Sequence, residues 1–273
     1  MRIAVTGGSG KLGAVVVKHL RDAGHDILNL DRVGTPGEGF LRVDFTDYGQ
    51  VVDALHERGS FDALVHLAAI PAGGLAPEVE TFTNNMLSTF HVFQAARRAG
   101  VTTIVYASSE TLLGIPFDID PPYLPVDEEY DSRPESMYAI VKHLEEELAQ
   151  KLVRWDAALS ITALRFSNVM LPEDYAAFAS FTPQSRKWNL WGYIDARDAA
   201  QAVLLSLTRN KPGFDRFIIG NADTVLDVPT ASLIAEFYPD LEVRGSLGEF
   251  ETLLSIEKAR RELGFEPAFG WRG

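Results

Sequence analysis

Tyr138 and Lys142 stand four residues apart in SMYAIVKHLEE, which runs from Ser136 to Glu146. Residues at i and i+4 share one face of an α-helix. Met137, Ile140, Val141, Leu144 and Leu148 supply the apolar recurrence of such a helix. A phenol beside an ammonium is a proton-transfer pair. The cation favours the phenolate and lowers the phenol pKa from about 10. Tyr138 would then serve as a general base near neutral pH. The spacing also suits a plain surface helix, on which Glu145, Glu146 and Glu147 are expected to be solvated. A chain with 8 Tyr and 7 Lys holds about 0.2 such pairs by chance, so the surroundings must decide.

A second set lies near the start. TGGSGKLG puts Gly7, Gly10 and Gly13 three apart between an apolar stretch, Arg2–Thr6, and a helical pattern over 11–23. Glycine there lets the backbone approach a pyrophosphate, and the helix N-terminus offers free N–H groups, including those of Lys11 and Leu12. The spacing is Gly-x-x-Gly-x-x-Gly rather than Gly-x-Gly-x-x-Gly, and such a turn can also be purely structural. Asp31 ends the next expected strand. A carboxylate there accepts ribose hydroxyls and repels a 2′-phosphate, which favours NAD over NADP, although Arg32 softens the repulsion. The alternative for Asp31 is a capping acid. Asp44 and Phe45 in VDFTD are candidates for the adenine edge, with capping through Thr46 and Asp47 as the alternative for Asp44.

The elements that must position these residues follow from periodicity. Strands are expected at Arg2–Thr6, Asp26–Leu30, Phe40–Asp44, Ala63–Leu67, Val101–Ala107 and Ser160–Leu164. Helices are expected at 11–23, 48–58, Thr83–Ala99 and Ser136–Arg154, with loops at 33–39 and 114–135. That alternation implies an α/β fold, a doubly wound parallel sheet with helices on both faces. After Arg165 the pattern weakens. Residues 170–192 read as loop, Tyr193–Thr208 as helix and Phe214–Ile219 as strand. Val228–Phe237 and Ser255–Leu263 read as helices around a short strand at Leu241–Arg244. Residues 1–165 are therefore expected to form the cofactor-binding part and 166–273 a small substrate-side lobe packed on the same domain.

Composition bounds the partners. The net charge of −13 argues against nucleic acid and anionic membrane as partners. There is no cysteine, so disulfides and thiolate metal sites are excluded. No apolar run approaches the roughly 20 residues that span a bilayer. MRIAVTGG is already a strand and a turn, so no signal peptide is expected, and the cytoplasm is the expected compartment. The histidines show no ligand spacing, and no metal is expected.

In order, TGGSGKLG, VDFTD, HLAAIP, NNMLSTFHVFQAARRAGV, YASSETLLG, YAIVK, LRFSNV and YIDARDAAQAV resemble the extended short-chain dehydrogenase/reductase superfamily, the NAD-dependent epimerase/dehydratase group. The resemblance spans nearly the whole chain. It implies a Rossmann fold of about seven parallel strands and a Ser/Thr–Tyr–Lys catalytic set. It gives Tyr138 the base role, Lys142 the partner role with a hold on the nicotinamide ribose, and Ser109 the hydroxyl that holds the substrate oxygen. Leu67, Ala68 and Ala69 match the segment along the cofactor, Asn85 a helix asparagine, and Asn168 a residue beside nicotinamide and substrate. It also implies a homodimer built on helices like 83–99 and 136–154.

The reaction stays open within that group, because fold alone does not fix function. Asn168 and Tyr193 lie only 25 positions apart, where nucleotide-sugar relatives usually carry a long insert. The layout is similar to hexuronate dehydrogenases, in which an Arg of the short segment binds the substrate carboxylate, and Arg186 stands in the matching place. Glu110 departs from that pattern: it would repel a uronate if it faced the pocket, or bind the hydroxyls of a neutral sugar. Trp188 and Trp191 suit either a sugar-stacking wall or the core. The leading expectation is an NAD-dependent dehydrogenase of a small sugar or sugar acid. The alternatives are an NDP-sugar 4-epimerase or dehydratase with tightly bound NAD, and a non-catalytic NAD-binding regulator.

Overall fold

A computed structural model describes residues 1–37, 39–56, 59–209 and 211–272. Seven strands build the central sheet: β1 (Arg2–Thr6), β2 (Asp26–Asp31), β3 (Phe40–Arg42), β4 (Ala63–His66), β5 (Thr103–Ser109), β6 (Ser160–Phe166) and β7 (Gly213–Ile219). Their spatial order is 3-2-1-4-5-6-7, and every pairing is parallel. Parallel strands are covered on both faces and so read as continuous apolar runs. Ile3, Ala4, Val5, Ala63, Leu64 and Val65 are all fully buried.

Helices close both faces. On one side, α1 (Lys11–Asp22) packs on the later helix α5 (Ala196–Thr208). On the other, α2 (Tyr48–His56), α3 (Glu78–Arg98) and α4 (Met137–Trp155) pack side by side. Two apolar clusters result, one around Val5, Val16 and Val203, the other around Phe93, Tyr106 and Ile161. The expected helix 48–58 is described only to His56; its last two residues lie outside the described ones. The helix α3 begins at Glu78, five residues before the expected start. Pro77 precedes it, and Glu78 and Glu80 sit in the first turn where acids favour the helix dipole.

The C-terminal part divides. Strand β7, α5 and α7 (Glu257–Leu263) join the main sheet and its layers. The remaining residues share a third core with the segment 112–130, centred on Phe117, Trp191, Tyr193 and Leu254. This segment was expected to be irregular, yet Tyr123–Leu124 pairs in parallel with Glu242–Val243. Residues 170–192 are compact rather than loop-like, with short helical turns at Pro172–Ser180 and Pro183–Arg186. The further helix α6 (Thr230–Phe237) covers the far side of this core through Leu233.

Candidate active site

A cleft of about 680 Å³ opens along the carboxyl ends of β1, β4 and β5, a size usual for small-ligand sites. It sits where the strand order reverses between β1 and β4, the place at which ligands bind in open parallel sheets.

The glycine turn forms one wall. A Cβ on Gly13 would lie 2.0 Å from the Gly7 carbonyl oxygen, and one on Gly7 would lie 2.6 Å from the Ala68 nitrogen. Both sites therefore exclude any side chain, and Gly7 also has a positive φ of 71°. Gly10 caps α1 without a side-chain acceptor, so the first N–H groups of the helix stay available to an anion. Leu12 also lines this wall. Lys11 lines it too, but its ammonium reaches across the cleft to the Val169 carbonyl at 2.8 Å and to Asp174 at 2.6 Å. The cofactor loop is thereby tied to the segment after β6.

Asp31 and Arg32 line the same end. The Asp31 carboxylate accepts from Ser9 N at 2.9 Å and Val33 N at 3.3 Å, one bond per oxygen, so each oxygen keeps a lone pair free. Asp44 and Phe45 line the cleft as well. The Asp44 carboxylate accepts from both Thr46 N and Thr46 Oγ1, which hold its pKa below the usual carboxylate range. These bonds close a local turn, while the cap of α2 is Asp47, which accepts from Gln50 N at 3.3 Å. Leu67, Ala68 and Ala69 form the floor. A bare glycine cradle, unpaired helix N–H groups and a carboxylate ending β2 fit a dinucleotide.

The chemistry lies at the other end, where Ser109, Glu110, Tyr138, Lys142 and Asn168 all line the cleft. Ser136 caps α4 by accepting from Ala139 N at 3.1 Å, which starts the helix just before Tyr138. The Ser109 oxygen accepts from Thr111 N and Thr111 Oγ1, so its own proton is free to donate, and Ser109 lines the cleft with Tyr138. The Lys142 ammonium stands 5.8 Å from the Tyr138 ring centre. It donates to the Ala107 carbonyl at 2.8 Å and to Glu145 at 2.9 Å, which leaves one of its three protons for the cleft.

The expected lowering of the Tyr138 pKa is not found. Burial pushes the phenol up; Lys142 and Ser109 pull it down, Glu145 opposes them, and the balance lies above the ordinary value. The sequence also misplaces Glu145 and Glu146, which are buried rather than solvated. Glu146 pairs with Arg165 and accepts from Ser108. One signal could have found them: Tyr138, Lys142, Glu145, Ala149 and Leu152 recur at alternating spacings of four and three, one helix face.

Two further expectations need correction. Asn85 does not face the cleft: it is buried, and its amide bonds both Ile70 N and Ile70 O. It fixes the turn after the cofactor floor, while its neighbour Asn84 lines the cleft. Arg186 is also buried and is not a cleft residue. Its guanidinium bonds the Gly192 carbonyl and lies over the rings of Phe181 and Trp188, each 4.9 Å away. Trp191 is core, whereas Trp188 lines the cleft.

Glu110 borders the cleft but is held from behind, by Ser167 Oγ at 2.6 Å and Asn189 Nδ2 at 3.2 Å. Burial pushes its pKa up to about 7, against the pull of Ser167, Asn189 and Arg186. Among the described residues no cluster of His, Cys, Asp or Glu could hold a metal ion, and no helix is long and apolar enough to cross a membrane.

The family model described as the NAD dependent epimerase/dehydratase family matches residues 3–220. The UDP-glucose 4-epimerase of Lacticaseibacillus casei is 30% identical, over 98% of this chain and 92% of its own length. A UDP-galactose 4-epimerase crystal structure superposes with a TM-score of 0.71 at 26% identity, covering 98% of this chain and 94% of that one. A mutated uronate dehydrogenase has the same fold, with a TM-score of 0.72 at 20% identity over 99% of this chain and 82% of that one. With this fold, this cleft and these matches, the chain belongs to the NAD-dependent epimerase/dehydratase family and is an enzyme whose cofactor is NAD.

Proposed function

We infer that the protein interconverts a nucleoside-diphosphate sugar by transient oxidation of a ring hydroxyl, in the manner of a 4-epimerase. One observation carries the reading: Ser109, Tyr138 and Lys142 converge on the cleft of a chain that is similar along 98% of its length to UDP-glucose 4-epimerases. The sequence alone favours a small-sugar dehydrogenase; the comparisons support the nucleotide-sugar alternative better.

NAD supplies, when bound, a reversible two-electron acceptor for the carbinol carbon. The glycine loop 7–13 and the α1 N-terminus would hold its pyrophosphate, and Asp31 its adenosine ribose. Ser109 donates to the substrate oxygen. Tyr138 takes the hydroxyl proton as the carbinol is oxidised and gives it back on reduction. Lys142 steadies the phenolate with its charge and offers its third proton to the cleft. Two such copies would associate through α3 and α4, on which Val79, Phe82, Leu87, Phe90 and Leu144 are exposed.

A second reading keeps one specific support. The compact segment 169–192 leaves Trp188 and Asn168 as a short substrate wall, which suits a small sugar oxidised with net NADH formation. The experiment separates the two. Purified protein is denatured and the released NAD is quantified, and UDP-galactose is followed for conversion to UDP-glucose. In parallel, free uronates and aldoses are tested for NADH absorbance, with Tyr138→Phe as control. Retained NAD and UDP-sugar conversion without net NADH support the epimerase. Net NADH from a free sugar, lost in Tyr138→Phe, replaces it with the dehydrogenase.

A further inference from the structure

The Tyr138–Lys142 pair carries a third member that the catalytic reading does not use. Glu145 has no exposed surface, and its carboxylate receives Lys142 on one oxygen at 2.9 Å and Thr89 Oγ1 on the other at 2.9 Å. The hydrogen bonds behind it have one direction. Thr89 has a single hydroxyl proton and spends it on Glu145, so the 3.0 Å contact from His66 Nε2 must be a donation to Thr89. His66 Nδ1 is then an acceptor, and Thr6 Oγ1 donates to it at 2.7 Å. Thr6 in turn accepts from Leu67 N and Ala68 N, at the cleft floor. Every donor in this chain points toward Glu145, and each of its two oxygens accepts; burial raises its pKa, while Lys142 and Thr89 pull toward the ionised carboxylate.

An ammonium with a few percent exposure loses most of its hydration, and burial alone would favour its neutral form. We propose that Glu145 is a positioning residue of the active site, a buried counter-charge that keeps Lys142 protonated and fixed against Ala107, and through Lys142 governs the ionisation of Tyr138. The inference rests on Tyr138 being the base. Other charged or titratable groups face the trio: Glu146 from α4, His66 from β4, Tyr106 from β5 and Glu110 after it, with Arg165 from β6 and Arg216 from β7 behind them on Glu146. Glu146 and Arg165 neutralise each other in a bidentate pair. His66 is held neutral, its pKa lowered to about 3 mainly by burial. The carboxylate bonded to Lys142 is that of Glu145.

The test reads Lys142 itself. The chain has seven lysines, so the ¹³Cε resonances of labelled lysine can be followed with pH, with Lys142 identified by its loss in Lys142→Met. In the wild type Lys142 is expected not to titrate up to pH 10. In Glu145→Gln its midpoint is expected to fall by about one unit or more and to enter that range, and Glu145→Asp is expected to restore it. The pH–rate profile then moves acid on both limbs: Lys142 loses its charge earlier, and the phenolate no longer faces a carboxylate. A wild-type midpoint below pH 10 overturns the proposal, even where Glu145→Gln fails to fold. So does a Glu145→Gln protein whose Lys142 still fails to titrate. Retained activity in Tyr138→Phe would remove the base reading, while the Lys142 titration would still judge the counter-charge.

Discussion

Arg165 lies in the sheet interior with its guanidinium on Glu146 of α4, Nε to Oε1 at 2.9 Å and Nη2 to Oε2 at 2.8 Å, both side chains out of solvent. Removing one partner of such a pair strands a buried charge. Arg165→Met or Glu146→Leu alone is expected to cost about 3–5 kcal/mol, and the double variant distinctly less than the sum of the two. Urea unfolding of the four proteins measures the coupling, and additive losses would show that the pair is not one unit.

The proton-transfer set makes a second prediction. Tyr138→Phe is expected to lower kcat about 10²–10⁴-fold with little change in NAD affinity. Ser109→Ala should act in the same direction but with a smaller loss, because it removes the hydroxyl offered to the substrate oxygen and at the same time releases the neighbouring Thr111 hydroxyl. Steady-state kinetics on UDP-galactose, beside NAD titration by fluorescence, separates chemistry from binding.

The glycine wall predicts a graded response. Gly13→Ala puts a methyl 2.0 Å from a carbonyl oxygen, whereas Gly10→Ala meets only one atom, at 3.3 Å. Gly13→Ala is expected to displace α1, abolish NAD binding and lower Tm. Gly10→Ala is expected to fold and to weaken NAD binding. Calorimetric titration with a melting curve for each variant checks both halves.

Stability should carry the mark of Glu110. Its folded pKa of about 7 exceeds the ordinary 4.5, so between those pH values the native state holds the extra proton. That contribution is present below about pH 4.5 and is lost as pH rises through 7. Wild type is expected to lose up to about 3 kcal/mol relative to Glu110→Gln across this window. His66 works oppositely: lowered to about 3, it adds stability above pH 6.5 that is lost as the pH falls toward 3. Denaturation of wild type, Glu110→Gln and His66→Gln at several pH values resolves the two signs.

Val79, Phe82, Met86 and Phe90 recur at helical spacing on α3, and all but the half-buried Met86 are exposed. If this face joins two copies, Phe90→Glu should halve the mass seen in sedimentation without lowering Tm by more than a few degrees. A wild-type monomer would remove the homodimer from the proposal.

The sheet was legible because its central strands are mostly apolar, as in the IAV of β1, the ALV of β4 and the IVYA of β5, and buried parallel strands read that way. The helix carrying Tyr138 was legible from its period. What was hidden depends on partners far along the chain. Glu145 and Glu146 look like solvent residues until Arg165, Thr89 and Lys142 are seen around them. Arg186 looks like a ligand-binding residue until Phe181, Trp188 and the Gly192 carbonyl enclose it. Residues 170–192 lack period because short turns and two positive-φ residues, Leu190 and Trp191, hold them. That conformation is dictated by the third core and not by local preference.

The row of hydroxyls and imidazole behind Glu145 ends on the amide N–H groups of Leu67 and Ala68. Amides do not surrender protons at physiological pH. A proton could move along the row only if its far end were resupplied, and the two amides there do not resupply it. The row is therefore a strut and not a wire. The proton that the proposed reaction has Tyr138 take and return is therefore not drawn from this row.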